Sequence, residues 1–157
     1  MDTITIISTV FSICSLLFSL VTYVRTIIHE RKKATLEAFN VLQEQVFDPI
    51  NQYAPKEIIE YSNHPTDKQY KILSGYLARI EHFCVGIVNN IYDRKTIYEL
   101  AHGYLDGRAL WNRLIPMMEA KNNDSQQEDY FSNIHKVMIW MDKETQKRNK
   151  KMKQNTR

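Results

Sequence analysis

Hydrophobic and polar positions divide the chain into an uncharged N-terminal run and a longer amphipathic remainder. The run covers residues 4 to 24, and these 21 residues hold no charged side chain. At about 1.5 Å per residue, a helix of this length crosses a hydrocarbon core of about 30 Å. Its flanks lack the basic leader and the small-residue cleavage site of a signal peptide. The pattern therefore predicts a transmembrane helix over residues 1 to 27.

The helical pattern continues beyond the membrane. No proline or glycine occurs between the run and Pro49, and apolar residues recur at helical spacing at Leu36, Phe39, Leu42 and Val46. We expect the transmembrane helix to continue as a stalk over residues 28 to 48. Because Pro49 disfavours helix at the residue before it, the stalk should end near Phe47.

Residues 49 to 142 read as a helical bundle. A short helix is expected over residues 56 to 61, followed by a long helix capped by Thr66 or Asp67. The apolar face of this long helix comprises Ile72, Leu73, Tyr76, Leu77, Ile80, Phe83, Cys84, Ile87, Val88 and Ile91. Asp93 can cap a further helix to about Tyr104, and Pro116 should kink another. A capping-box match at residues 125 to 128 should open the last helix, which carries Phe131, Ile134, Val137, Met138 and Met141.

Nowhere does a period of two persist long enough to predict a sheet. The predicted fold is therefore all-α, with a single N-terminal transmembrane helix that continues into a cytoplasmic helical bundle. Residues 143 to 157 form a basic tail.

The net charge of +3 is unevenly distributed along the sequence. Residues 25 to 33 carry four basic side chains against Glu30, residues 143 to 157 carry seven against Glu144, and residues 34 to 142 have a net charge of −5. An acidic central domain disfavours binding to a DNA or RNA duplex. Basic residues follow the uncharged run and none precedes it, so the positive-inside rule predicts an external N-terminus and a cytoplasmic C-terminal domain. The two cysteines, Cys14 and Cys84, form no disulfide framework, as expected in a reducing compartment.

The transmembrane run contains a line of hydroxyl residues, which we term the hydroxyl seam. Its members are spaced 3, 4, 3, 4 and 3 residues apart: Thr5, Ser8, Ser12, Ser15, Ser19 and Thr22. Small polar residues on one helix face let transmembrane helices approach closely, so the seam predicts a homo-oligomer, with a tetramer as one plausible form. A ring of such helices would line a narrow polar path. In the alternative interpretation, the hydroxyls bond back to carbonyls of their own helix and serve no contact.

Two clusters carry candidate chemistry. Arg79, Glu81 and His82 form the densest polar group, either as an acid-base or metal pair or, as we favour, as partners of neighbouring helices. Tyr104, Arg108, Trp111 and Arg113 combine aromatic faces with guanidinium groups, as in nucleotide sites, although Trp111 is explained more simply as a core residue. No phosphate loop, HExxH or paired CxxC motif occurs, and the five histidines lack metal-ligand spacing. We expect no enzymatic activity, no metal and no cofactor.

Basic residues on both sides of the bundle are candidates for contact with lipid headgroups. They are Arg31, Lys32 and Lys33 after the membrane run, and Lys147, Arg148, Lys150 and Lys151 in the tail. Each contributes about 1 kcal/mol near an anionic surface. In the simpler interpretation, the tail is a frayed and solvated helix end.

Several sequence motifs of this chain resemble those of a known protein family. The segment Arg31-Lys32-Lys33-Ala34-Thr35-Leu36 just after the membrane helix is followed by the pattern Leu77-x-x-Ile80-Glu81-x-Phe83-x-x-Gly86-Ile87 and by Ile91-Tyr92-Asp93, with Pro116 downstream. Over residues 5 to 142, this resembles small bacterial membrane-anchored helical proteins grouped as a domain of unknown function. In size, element order and polar membrane helix, the chain is also similar to membrane effectors of type III CRISPR defence. That likeness implies a tetramer in a bacterial inner membrane that binds cyclic tetra-adenylate and perturbs the membrane.

Three functions follow as hypotheses. The first is a non-enzymatic membrane effector whose cytoplasmic bundle senses a ligand, in the sharpest form a cyclic oligonucleotide in antiviral defence, and acts through the hydroxyl seam. The second is a constitutive membrane-anchored scaffold or assembly factor that binds a protein partner. The third, a hydrolase using Glu81 and His82, is the weakest because no nucleophile accompanies the pair.

Overall fold

A computed structural model describes residues 2–105, 114–119 and 130–155, without the side chains of residues 3–6 and 155. Six α-helices and one π-helix are assigned as elements: α1 (Thr3–Leu42), the π-helix (Gln43–Phe47), α2 (Asp48–Ile50), α3 (Pro55–Ser62), α4 (Lys68–Val88), α5 (Arg94–Leu105) and α6 (Ser132–Asn155). Residues 114–119 are also helical. The described ranges contain no strand, which confirms the predicted all-α class. The expected helix start before residue 114 and the capping box at residues 125 to 128 lie outside them.

α1 joins the membrane run to the bundle without a break. Of the described helices, it is the one long and apolar enough to cross a membrane, and its large side chains from Ile7 to Val24 are exposed. Its C-terminal part belongs to the bundle, because Thr35, Phe39 and Leu42 are buried. The C-terminal half of the predicted stalk, residues 28 to 48, therefore forms part of the bundle core.

The proline rule predicted that the stalk would end near Phe47, but the helical path continues past this residue. Asp48 has helical angles, φ −63° and ψ −46°, and its N–H donates to the carbonyl of Gln43, five residues earlier. Proline removes a backbone donor, and its ring clashes with the carbonyl four residues before it. The wider π-helix relieves that clash ahead of Pro49, so the helical path reaches Ile50.

The helix starts in the middle of the chain follow the predicted caps. α3 begins at Pro55, the side chain of Asp67 accepts the N–H of Gln69 at 3.0 Å, and Asp93 accepts that of Thr96 at 2.9 Å. The last helix differs, because residues 130 and 131 form a turn and α6 starts only at Ser132.

The bundle core lies between α1, α4, α5 and α6. α4 runs back along α1 toward the uncharged run: Arg79 bonds Gln45 at 2.9 Å, the ring centroids of Phe83 and Phe39 are 6.4 Å apart, and the turn after α4 meets Thr35. α3 packs beside the N-terminal half of α4, at the end of the bundle far from the membrane. Of the predicted inward residues, Phe131 in the turn before α6 and Ile134, Val137 and Met141 on α6 are buried, and Met138 is half-buried.

The basic tail is a continuation of α6. The helix runs through Asn155, and the hydroxyls of Thr145 and Tyr98 are 3.0 Å apart. The start of the tail is therefore packed against α5, whereas the sequence suggested a frayed end.

Candidate functional site

The hydroxyl seam faces outward along the membrane part of α1. Its described members from Ser8 to Thr22 are exposed. Ser12, Ser19 and Thr22 donate to the carbonyls of Ser8, Ser15 and Phe18, each at 2.9 Å. This is the back-bonding of the alternative interpretation. A hydroxyl that donates to its own helix keeps its acceptor lone pairs, so the seam still presents hydrogen-bond acceptors to a neighbouring helix.

The exposed face of the stalk continues the line of the seam. Thr26, Glu30, Lys33 and Glu37 extend it at spacings of three and four residues, and all four are exposed. The buried residues Thr35 and Phe39 each follow a member of this line by two positions, which at 100° per residue places them about 200° around the helix. The buried positions of α1 therefore lie on the side of the helix roughly opposite the seam.

A groove of about 820 Å³ is lined by residues of α1, the π-helix and α4 together with Tyr92, and we term it the α1–α4 groove. Its apolar walls include Ala38, Val41 and Phe83, and its polar side chains are those of Glu37, Gln45, Arg79 and His82. The guanidinium of Arg79 donates to Gln45 in the π-helix and forms no ion pair with a described residue. Glu37 pairs with Lys33 at 3.8 Å instead.

Glu81 faces away from the groove and caps the last helix. Its two carboxylate oxygens accept the backbone N–H groups of Asn133 and Ile134 at 3.2 and 2.9 Å, and the Asn133 side chain adds a bond at 2.6 Å. A carboxylate at a helix N-terminus satisfies free donors and interacts favourably with the helix dipole. The structure thus separates Glu81 from Arg79 and His82 and supports the bond to a neighbouring helix.

Of the second predicted cluster, the structure describes only Tyr104. The ring of Tyr104 stacks on Phe47 at 5.1 Å and meets the edge of Phe39 at 5.8 Å, so it belongs to the aromatic core. Arg108, Trp111 and Arg113 lie outside the described residues.

The two basic groups differ in how far their side chains are engaged. Lys32 and Lys33 on α1 are exposed, and Arg31 is half-buried. In the tail, Arg148 donates to Glu144 at 3.1 Å and lies 3.8 Å from the centre of the Tyr98 ring. The hydrogen bond from Arg148 lowers the pKa of Glu144. Lys147 pairs with the same carboxylate, so Lys150 and Lys151 are the more available tail residues for a lipid surface.

Sequence reasoning missed the contact that fixes α1 to the turn between α4 and α5. The buried hydroxyl of Thr35 donates to the carbonyl of Arg31 at 2.6 Å and accepts the N–H of Asp93 at 2.8 Å. Burial acts to raise the pKa of Asp93, but hydrogen bonds from Thr96 and the charges of Lys32 and Arg31 lower it overall. The one available signal was a polar residue at helical spacing from Phe39 on the buried face.

No protein-family model, curated protein or solved structure matches the chain. Within the described ranges, no group of three or more histidine, cysteine, aspartate or glutamate side chains is placed to hold a metal ion. The hydroxyl seam and the α1–α4 groove are therefore the features of the described residues that bear most directly on function.

Proposed function

We propose that this chain is a membrane-anchored, non-enzymatic signalling protein of the bacterial inner membrane, with its N-terminus outside and its bundle in the cytoplasm. One observation carries the proposal: α1 holds the hydroxyl seam and one wall of the α1–α4 groove in a single continuous helix. A change at the groove has a direct mechanical route to the membrane. Copies of the protein associate through the hydroxyl seam, and the signal is transmitted as a change in the arrangement of their α1 helices.

The groove is the proposed ligand site. Arg79 and His82 favour an anionic ligand, and the apolar walls suit a molecule that also carries a flat or hydrophobic part. The sharpest candidate is a cyclic oligonucleotide in antiviral defence, which comes from the resemblance to CRISPR effectors. A ligand changes the arrangement of α1 only if it binds one arrangement more tightly than another. Gln45 belongs to the π-helix directly after α1 and accepts a hydrogen bond from Arg79. A ligand that binds the Arg79 guanidinium in its place would break this hydrogen bond at the C-terminal end of α1.

The binding experiment uses the full-length protein in lipid nanodiscs and measures the thermal shift produced by cyclic tetra-adenylate, with ATP as a second nucleotide. We expect Arg79→Gln to abolish the shift. Lys71→Gln, an exposed cation on the same helix that does not line the groove, should keep it. Equal shifts in both variants would remove the groove from the proposal, and no shift with either nucleotide would remove nucleotides as its ligands.

A constitutive scaffold is the second candidate function. The exposed Val41 and the open apolar wall also suit a helix of a protein partner. Co-purification of one partner that is lost on Val41→Asp, together with no nucleotide shift, would favour it. The hydrolase hypothesis predicts that Glu81→Gln and His82→Ala each abolish function. We expect Glu81→Gln to leave signalling intact, because Glu81 is engaged with α6.

A further inference from the structure

The end of α4 leaves one large aliphatic side chain in solvent. Asn90 has a φ of 57°, the N–H of Ile91 donates to the carbonyl of Gly86 at 2.9 Å, and that of Asn90 donates to Ile87 at 3.2 Å. These bonds define a Schellman motif, in which the residue after the left-handed position normally packs back on the helix. Here the ring of Tyr92 fills the space over Gly86, where a Cβ would collide with it. Ile91 is consequently 58% exposed, although its spacing predicted a core position.

The same turn is held beside the membrane. The side chain of Arg31 donates to the carbonyl of Ile91 at 3.5 Å, and Asp93 bonds Thr35 at 2.8 Å. The uncharged run of α1 ends at Val24, and at 1.5 Å per residue Arg31 and Thr35 lie about 10 and about 16 Å beyond it. The headgroup layer occupies about 5 to 7 Å on each side of the hydrocarbon core. When α1 spans a bilayer, the turn therefore lies just outside the headgroup layer, where long basic side chains beside it can reach the phosphates.

Three exposed basic residues lie near the turn that holds Ile91. Arg94 and Lys95 follow it in the chain, Lys32 is on the facing helix, and the guanidinium of Arg94 also lies 5.8 Å from the centre of the Trp140 ring. Lys95 makes only a long pair with Glu99 at 4.0 Å, whereas the carboxylate of Asp93 is engaged by Thr96. An aliphatic tip among basic side chains complements an anionic lipid surface.

We propose that the α4–α5 turn, residues 89 to 93, rests on the anionic headgroups of the membrane, with Ile91 as its apolar contact and Lys32, Arg94 and Lys95 facing phosphates. This contact fixes the bundle against the bilayer at a second point besides α1. It rests on the membrane anchoring in the proposed function and is independent of the ligand and of the oligomer.

The test places an environment-sensitive fluorophore at Ile91→Cys in a Cys14→Ser background. The remaining thiol, Cys84, is buried, and its pKa is raised by that burial and by the charge of Glu81, so it escapes labelling. The full chain is reconstituted in phosphatidylglycerol-containing vesicles with a lipid that carries a headgroup nitroxide quencher. The matched control is Ile59→Cys, an isoleucine with a similar exposure of 47% on α3 at the far end of the bundle.

We expect quenching at residue 91 to be severalfold stronger than at residue 59 and to weaken when phosphatidylglycerol is replaced by phosphatidylcholine. Equal quenching at the two sites would overturn the proposal, and quenching unaffected by lipid charge would overturn its electrostatic part. Phe11→Cys, read with an acyl-chain quencher, reports the anchor separately. If residue 11 is quenched and residue 91 is not, the anchor stands and this inference fails; if neither is quenched, both fail.

Discussion

Glu81 provides the most direct test of how α6 is attached to the bundle. Glu81→Ala removes both carboxylate oxygens that accept the first-turn N–H groups of Asn133 and Ile134. Loss of an N-terminal cap costs about 0.5 to 2 kcal/mol, and a hydrogen bond to a charged group contributes roughly 1.5 to 3 kcal/mol. Because two backbone donors and the Asn133 side-chain amide lose one shared acceptor group, and water reaches this half-buried site, we expect a loss of about 2 to 3 kcal/mol. Glu81→Gln keeps one acceptor and should lose about half as much.

The assay is urea unfolding of the full-length protein in detergent, followed by tryptophan fluorescence, since Trp140 of α6 lies against Arg94. Glu99→Ala is the matched control, because Glu99 is exposed and its pair with Lys95 at 4.0 Å should contribute less than about 1 kcal/mol. If Glu81→Ala costs no more than Glu99→Ala, the carboxylate does not hold α6, and the assignment of Glu81 as a cap is wrong.

Three further predictions concern the turn between α4 and α5. Gly86→Ala should destabilise the protein by about 1 to 3 kcal/mol in the same urea assay, because the new methyl group displaces the Tyr92 ring from Phe83; unchanged stability would contradict this. Thr35→Val should cost about 1 to 3 kcal/mol by leaving the Asp93 N–H without its acceptor, and Thr26→Val, on the exposed face, should cost far less. The pKa of Asp93 is lower in the folded protein than its unfolded value of about 4, so the ionised carboxylate stabilises the fold above that pH. This contribution to stability is lost as the pH falls through the lower folded pKa. Asp93→Asn should therefore reduce the fall in the free energy of unfolding at acidic pH. An unchanged fall would show that Asp93 does not stabilise the fold in this way.

Local signals predicted the fold well. The uncharged run, the apolar period of 3.6 and the caps at Asp67 and Asp93 depend on neighbours within one helical turn, and each is present in the structure. The π-helix was missed because the proline rule assumes that a helix must end, whereas a wider turn can accommodate the ring. Ile91 was assigned to the core because periodicity does not register the left-handed residue before it.

The candidate site was less accessible to sequence reasoning. Arg79 and His82 were singled out as a polar cluster, but their groove depends on Gln45, 34 residues away from Arg79. Glu81 stood beside them in the sequence, yet its partner Asn133 is 52 residues away, and that distant bond decides its orientation. Contacts of this range follow from tertiary packing, which no single helical pattern encodes.

Association of α1 through the hydroxyl seam is the central claim, and cysteine crosslinking in native membranes tests it most directly. Ser12→Cys and Ser15→Cys, each in a Cys14→Ser chain, place thiols on the seam. The natural Cys14 lies about 200° from Ser12 but only about 100° from Ser15 around the same helix and is exposed, so the unmodified chain is the control for Ser12→Cys. We predict disulfide-linked dimers for both seam variants and little or none through Cys14. Absence of crosslinks on the seam, or equally strong crosslinking through Cys14, would contradict it.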